Sequence, residues 1–200
     1  VEEGRLGGAP IAAITEKGLP ATPAVKNSVE RMVRTIEPKV RAADPQTSRS
    51  QMLATEATST IMFTDIVGSS ALVERLGDRA AREVLRGHDD IIREKTNAYG
   101  GVEVKFMGDG FMLTFPSAGT GVACAVDMQR ALDERNRQSQ SNHLAVRIGI
   151  SVGEPIREEG DLFGQAVNHA ARIADQATGG QVLTSEIVHT LVGTAGVFNF

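Results

Sequence analysis

Hydrophobic and polar positions follow two different patterns along most of the chain, one typical of strands and one typical of helices. The segment TSTIMFTDIV, residues 58–67, is rich in β-branched and apolar residues and predicts a central strand. Apolar residues recur at three- and four-residue steps over 78–99 and over 117–132, which predicts two long helices. Gly100 and Gly101 mark the end of the first of these helices.

The remaining elements complete a recognisable order. Gly108, Asp109 and Gly110 stand between two short apolar alternations, which indicates a β-hairpin. The other predictions are a short helix over 71–76, a strand over 144–152, a charged loop over 154–163, a helix over 166–174, a strand over 181–185 and a closing helix over 185–192. The sequence therefore predicts an α+β fold, a ferredoxin-like βαββαβ palm with a helix–strand–helix addition.

The first 57 residues differ in composition from the rest. The stretch to about Thr22 is rich in Gly, Pro and Ala, and we expect a linker or a loosely ordered arm. From Pro23 to Pro38, apolar residues recur at helical spacing and predict an N-terminal helix. Its narrow apolar stripe suits either the surface of the following domain or a second copy of the chain. We expect residues 1–57 to form a linker and a helical regulatory or dimerisation segment.

Charge and composition narrow the classes of function. With 21 Lys and Arg against 25 Asp and Glu, the formal net charge is −4, so we expect no nucleic-acid partner, because such binding needs a basic face. Cys124 is the one cysteine and excludes an intramolecular disulfide; its apolar surroundings predict a buried thiol. No apolar run approaches the roughly 20 residues of a membrane span.

Nothing in the sequence points to secretion, so we expect a location in the cytoplasm or at the cytoplasmic face of a membrane. The chain begins with Val1 rather than Met, from which we expect a fragment of a longer protein. The sequence leaves open whether that parent protein carries a membrane tether.

Two aspartates carry the strongest chemical indication. Asp65 ends the predicted central strand in FTDIVGSS, and Asp109 lies in the hairpin turn of KFMGDGFM. The first strand of a ferredoxin-like sheet neighbours the hairpin, so the two carboxylates are expected close together. Their charges repel unless a cation neutralises them, and such oxygen ligands suit Mg²⁺ or Mn²⁺. The simpler alternative is a strand-end cap and a turn aspartate.

The residues after Asp65 suit a phosphate group. Val67, Gly68, Ser69 and Ser70 place a glycine and backbone amides at the start of a predicted helix. The amides and the helix dipole attract anions at such a position. Turns of this kind are common, so this indication is weak by itself.

A second cluster lies in GDLFGQAVNHAARIAD. Asn168 and Arg172 are four residues apart and share one face of the predicted helix. An arginine beside an amide can bind a phosphoryl group and polarise sugar oxygens. Arg172 alone would be an ordinary surface charge.

Together, FTDIVGSS, KFMGDGFM and DLFGQAVNHAAR resemble, in order and spacing, the catalytic domain of bacterial class III adenylyl and guanylyl cyclases. The resemblance implies that residues 58–200 form the catalytic domain. It implies that Asp65 and Asp109 bind two Mg²⁺ or Mn²⁺ ions per site, with the carbonyl of Ile66 as a further ligand.

The same resemblance assigns the other residues. Lys105 and Asp161 match the pair that reads adenine, whose ring nitrogen accepts from an ammonium and whose amino group donates to a carboxylate. Asn168 and Arg172 match the pair that acts on the transition state. The implied activity is conversion of ATP to 3′,5′-cyclic AMP and pyrophosphate.

The resemblance also implies a head-to-tail homodimer with two shared sites. One copy would supply Asp65 and Asp109 to each site. The partner copy would supply Lys105, Asp161, Asn168 and Arg172.

Two other functions stay open. One is a guanylyl cyclase, which Lys105 and Asp161 disfavour, and the other is a catalytically silent domain that binds nucleotide or partner proteins. The chain departs from the family pattern at Glu154, where many relatives carry a phosphate-binding arginine. It also ends at Phe200, before the final hairpin of the family.

Overall fold

A seven-stranded mixed sheet forms the centre of the protein in the computed structural model, which describes residues 3–6, 9–15, 58–139 and 142–193. Its strands are β1 (Glu3–Leu6), β2 (Ala9–Thr15), β3 (Ser59–Ile66), β4 (Val102–Phe106), β5 (Gly110–Phe115), β6 (Val146–Gly153) and β9 (Gln181–Ser185); β7 (Ile156–Glu158) and β8 (Asp161–Phe163) form a separate hairpin. The helices are α1 (Ser69–Leu76), α2 (Asp78–Ala98), α3 (Ala118–Gln138), α4 (Gln165–Gln176) and α5 (Glu186–Gly193).

The order of strands confirms the predicted α+β palm. The sheet runs β1-β2-β9-β6-β3-β5-β4. The central strand β3 pairs antiparallel with both β5 and β6, and β9 lies parallel to β6. The predicted helix–strand–helix addition is α4, β9 and α5. The predicted N-terminal helix, from Pro23 to Pro38, lies outside the described residues.

Each face of the sheet has its own core. Side chains that alternate along the strands, such as Met62 and Ile148, pack with α1, α2, α3 and α5 in the larger core. The intervening residue Ile61 belongs to a smaller core on the opposite face, where Val167 and Ala170 of α4 are also buried. The alternation places Asp65 on the α4 face, because it lies an even number of residues from Ile61.

Two expectations of irregular structure were wrong. Part of the expected arm forms β1 and β2, and β2 pairs antiparallel with β9. These strands are held by backbone pairing, which a Gly/Pro/Ala-rich composition does not reveal. The expected loop over 154–163 contains β7 and β8, whose turn residues Glu159 and Gly160 both have positive φ, 50° and 83°. Such a two-residue turn fits the twist of a hairpin.

Cys124 and His88 are two titratable residues that are completely buried. Cys124 is buried, as predicted, and its burial raises the pKa of the thiol well above the ordinary value. His88 lies on the apolar side of α2 and is completely buried, with Nδ1 3.0 Å from Oδ1 of Asp89. Burial lowers the pKa of His88. None of the helices in the described ranges is both long enough and apolar enough to cross a membrane.

The close approach of α4 to the sheet depends on Gly149 of β6. A Cβ atom at this position would lie 2.1 Å from the backbone nitrogen of Ala174 and 2.7 Å from the carbonyl oxygen of Ala170. Both neighbours are backbone atoms of α4, so a small rearrangement of a side chain cannot make room. The absence of a side chain at residue 149 therefore fixes the distance between α4 and the sheet.

We expect Gly149→Ala to lower the free energy of unfolding by about 1–3 kcal/mol or more, because the added methyl group must push α4 outward. Urea unfolding checks this value. Gly193→Ala is the matched control, because a Cβ atom there meets nothing within 4 Å, and it should change stability by less than about 0.5 kcal/mol. Equal midpoints for the two variants would contradict the assigned packing.

Candidate active site

The pairing of β3 with β5 brings the two predicted metal-binding aspartates to neighbouring strands. Asp65 lies opposite Gly110, the residue after Asp109. The backbone amide of Ile66 donates to the carbonyl of Asp109 at 3.2 Å. The Met107 amide donates to the Gly110 carbonyl at 2.9 Å and closes the turn that presents Asp109.

Each carboxylate has one oxygen held by a neighbouring side chain. Oδ2 of Asp65 accepts from Nε of Arg147 and lies near its Nη2, both at 2.7 Å. Oδ2 of Asp109 accepts from the hydroxyl of Ser69 at 2.5 Å. Within the described residues no hydrogen bond engages Oδ1 of either aspartate. Those two oxygens are the ones that the site can offer to a cation.

The chemistry of these donors fits Mg²⁺ or Mn²⁺. Carboxylate and carbonyl oxygens are hard ligands, and Asp65, Asp109 and the carbonyl of Ile66 supply both kinds. In the part of the chain that the structure describes, no three His, Cys, Asp or Glu residues cluster as a metal site. Mg²⁺ is commonly held by one or two carboxylates together with substrate phosphates. The two aspartates therefore suit a cation that binds together with a phosphorylated substrate.

The predicted phosphate loop is formed only in part. Gly68 has φ +74°, the left-handed conformation that glycine adopts readily, and α1 begins at the next residue. The amide of Val67 donates to the carbonyl of Ala145 at 2.8 Å, so it is already used within the chain. Amides in the first turn of a helix have no intrahelical acceptor. Ser69 and Ser70 are thus the positions from which backbone donors can meet an anion.

Lys105 and Asp161 are brought together although 56 positions separate them. Nζ of Lys105 donates to Oδ2 of Asp161 at 2.7 Å. The amide of Leu162 donates to the other oxygen, Oδ1, at 2.8 Å. The hydrogen bond from Lys105 is the main cause that lowers the pKa of Asp161. The side chain of Lys105 is 54% exposed, so a ligand can reach the pair.

Asn168 and Arg172 lie on the exposed side of α4. The opposite side of this helix carries Ala170, Ile173 and Ala174, which are buried against the sheet. The close packing of α4 on Gly149 of β6 thus fixes the helix backbone, from which Asn168 and Arg172 extend toward solvent.

Arg147 is the residue that the sequence analysis missed. It lies directly opposite Asp65 in the β3–β6 register. In the structure, buried Val146 and Ile148 flank the arginine, so Arg147 lies on the opposite face of the sheet from them, and the strand register places it next to Asp65. An open cleft of about 570 Å³ lies at the β7–β8 hairpin, where it is lined by Glu158, Glu159, Asp161 and Phe163. This cleft is acidic and is not by itself a site for a triphosphate.

A family model described as "Adenylate and Guanylate cyclase catalytic domain" matches residues 53–199. The chain belongs to this family. The cyclase domain is 33% identical over 164 residues to the adenylate cyclase of Mycosarcoma maydis, which covers 70% of this chain. The chain spans 6% of the length of that fungal protein.

Solved cyclase structures share the fold of this cyclase domain. The Adenylate/Guanylate Cyclase/Hydrolase from Silicibacter pomeroyi matches with a TM-score of 0.63 and 31% identity, over 70% of this chain and 81% of that one. The guanylyl cyclase Cya2 matches with a TM-score of 0.62 and 31% identity, over 68% of this chain and 79% of that one. The first of these proteins is named for both nucleotides and the second for guanylyl cyclase activity, and the two are about equally similar to this domain.

In the cyclase domain, Lys105→Met should raise the pKa of Asp161 toward its ordinary value, because the main cause that lowers it is removed. The carbon-13 chemical shift of the carboxyl group, followed by NMR against pH, measures this change. Lys95→Met is the matched control, since Lys95 pairs instead with Asp127 at 3.2 Å, and it should leave the Asp161 titration unchanged. If the pKa of Asp161 is the same in Lys105→Met as in the unmodified chain, the hydrogen bond between Lys105 and Asp161 does not form in solution.

Proposed function

We propose that this domain is an adenylyl cyclase that converts ATP to 3′,5′-cyclic AMP and pyrophosphate, at sites shared between two copies of the chain. The observation that carries the cyclase activity is the pairing of Asp65 with the strand that begins beside Asp109. This pairing supports two carboxylates on neighbouring strands, each with one oxygen, Oδ1, that no hydrogen bond within the described residues occupies and that a cation would bind. Divalent cations bound there would lower the pKa of the attacking hydroxyl and neutralise charge on the phosphates.

The chemistry is a transfer within one substrate molecule. The ribose 3′-oxygen forms a bond to the α-phosphorus, the bond from that phosphorus to the bridging oxygen of the β-phosphate breaks, and pyrophosphate leaves. The hydroxyl proton passes to solvent. Arg172 neutralises charge that grows on the α-phosphoryl oxygens, and Asn168 orients the ribose. Positioning and electrostatics supply most catalysis in phosphoryl transfer, so no protein nucleophile is required.

The contact between Lys105 and Asp161 supports adenine as the base. An ammonium donates to a ring nitrogen of adenine, and a carboxylate accepts from its exocyclic amino group. The two side chains are already 2.7 Å apart. Because the amide of Leu162 also holds the carboxylate, Asp161 is oriented before any nucleotide binds.

Exposed apolar side chains support a second copy as part of the site. Ile156 and Phe163 are direct partners across the β7–β8 hairpin and are 59% and 46% exposed. They flank the acidic residues near Asp161. Val67 and Met107, beside the two metal-binding aspartates, are 48% and 45% exposed. Apolar surface next to both halves of the site fits a dimer whose contact completes each half with the other.

Complementation between two inactive variants tests the shared site. Asp65→Ala and Arg172→Ala should each lower cyclic AMP production by about 100-fold or more, because each removes a principal electrostatic group. Mixed together, they should recover about a quarter of the unmodified activity, since half of randomly paired dimers are mixed and each mixed dimer keeps one intact site.

The matched control mixes Asp65→Ala with Asp109→Ala. Both changes fall on the same half of the site, so no mixed dimer has an intact site and no activity should return. If the Asp65→Ala and Arg172→Ala mixture stays inactive at concentrations where the unmodified chain is active, the shared-site proposal fails.

Replacement of the base-reading pair tests the choice of nucleotide. The double variant Lys105→Glu, Asp161→Cys should raise the ratio of GTP to ATP turnover, because a carboxylate can accept from the ring N–H and amino group of guanine. Lys95 and Asp127 form another Lys–Asp pair, away from the site, so Lys95→Glu, Asp127→Cys is the matched control and should keep the original ratio.

Steady-state rates with ATP and GTP side by side give the measurement. An unmodified chain that prefers GTP would make the domain a guanylyl cyclase. A chain inactive with both nucleotides, although it binds them, would favour the silent binding module.

A further inference from the structure

The guanidinium of Arg147 meets the carboxylate of Asp65 on the α4 face of the sheet. We propose that Arg147 is a positioning residue that holds Asp65 in the orientation in which it binds a divalent cation. This inference rests on the proposed function, in which Asp65 is a metal ligand. The two residues are direct partners in the antiparallel β3–β6 register, so the backbone itself sets them side by side.

The contact uses a single oxygen of Asp65. Nε and Nη2 of Arg147 both lie 2.7 Å from Oδ2. Two donors that converge on Oδ2 restrict the movement of that oxygen and leave Oδ1 without a hydrogen bond among the described residues. Both side chains are largely shielded from water, at 27% and 30% exposure, which strengthens the contact relative to a surface ion pair.

The guanidinium is itself held from the other side by α4. Its Nη1 donates to the backbone carbonyl of Asp175 at 3.1 Å, and its Nη2 lies 3.2 Å from Oδ1 of the same residue. All three nitrogens of Arg147 are therefore used, and the group bridges the sheet and the helix. Lysine could not make this bridge in the same way, because its ammonium is a compact charge without a planar set of donors.

Charge and orientation make opposite predictions for the loss of Arg147. A positive group beside a metal site repels the metal, so removal of a mere counter-ion would strengthen cation binding. A positioning residue acts in the other direction. Partners that hydrogen-bond to a metal ligand typically contribute about 10–100-fold to metal affinity or activity. The direction of the change thus separates the two roles.

Mn²⁺ binding to the whole chain in the presence of 3′-deoxy-ATP, which lacks the attacking hydroxyl and cannot be cyclised, tests the proposal, with water-proton relaxation by protein-bound Mn²⁺ as the readout. Arg147→Gln should bind Mn²⁺ about 10–100-fold more weakly. Arg147→Lys keeps the charge but loses the two converging donors, and it should show a smaller loss in the same direction. Arg137→Gln is the matched control, because Arg137 is 65% exposed and its ion pairs among the described residues are with neighbours on α3. This variant should bind Mn²⁺ as the unmodified chain does.

Thermal unfolding of each variant shows whether it is folded. If Arg147→Gln does not fold, the Mn²⁺ affinity of Arg147→Lys tests the positioning role instead. Mn²⁺ binding that is equal or tighter in the folded Arg147 variant would overturn the positioning role. Asp65→Ala, measured alongside, separates this from failure of the proposed function. If Asp65→Ala binds Mn²⁺ as tightly as the unmodified chain, Asp65 is not a metal ligand and both proposals fail. If Asp65→Ala binds Mn²⁺ more weakly but the Arg147 variants do not, only the role of Arg147 is overturned.

Discussion

The antiparallel pairing of β3 with a strand on each side sets the position of every group around Asp65. On one side, β5 starts opposite this residue and is preceded by the turn that carries Asp109. On the other side, β6 places Arg147 directly across from it. Side chains in a sheet alternate between the faces, so a shift of one residue in either pairing would move Asp65 or its partner to the opposite face. The buried residues on the two faces, such as Met62 and Ile61, hold this register in place.

Helix α4 joins the sheet to the polar residues proposed to act on the nucleotide. Because α4 packs closely on Gly149, Asp175 near the C-terminal end of the helix contacts Arg147 of the sheet. The same helix carries Asn168 and Arg172, which lie seven and three residues before Asp175 and therefore on the same side. One packing contact thus determines both how Asp65 is supported and where Arg172 is presented.

Elements and positions that depend on local pattern were predictable from the sequence, and contacts that depend on strand register were not. Helical spacing predicted α2 and α3, and the glycine-flanked turn placed Asp109 beside the first strand. Arg147 had no such indication, because an arginine between buried strand residues looks like any outward polar position until its cross-strand partner is known. The hairpin of β7 and β8 depends on the turn at Glu159 and Gly160, which the charged composition concealed.

The negative charge of the acidic residues explains why the proposed site contains basic side chains and needs divalent cations. Glu158 and Glu159 lie near Asp161, and a triphosphate is repelled by acidic surfaces of this kind unless positive charge lies between. Lys105 offsets Asp161, and Arg147 offsets Asp65. In the proposed function, the phosphates are neutralised by Arg172 and by divalent cations that arrive with the nucleotide. If the proposed function holds, an acidic domain binds a highly anionic substrate, and its affinity for the nucleotide should follow the concentration of divalent cations more closely than the net charge of the domain.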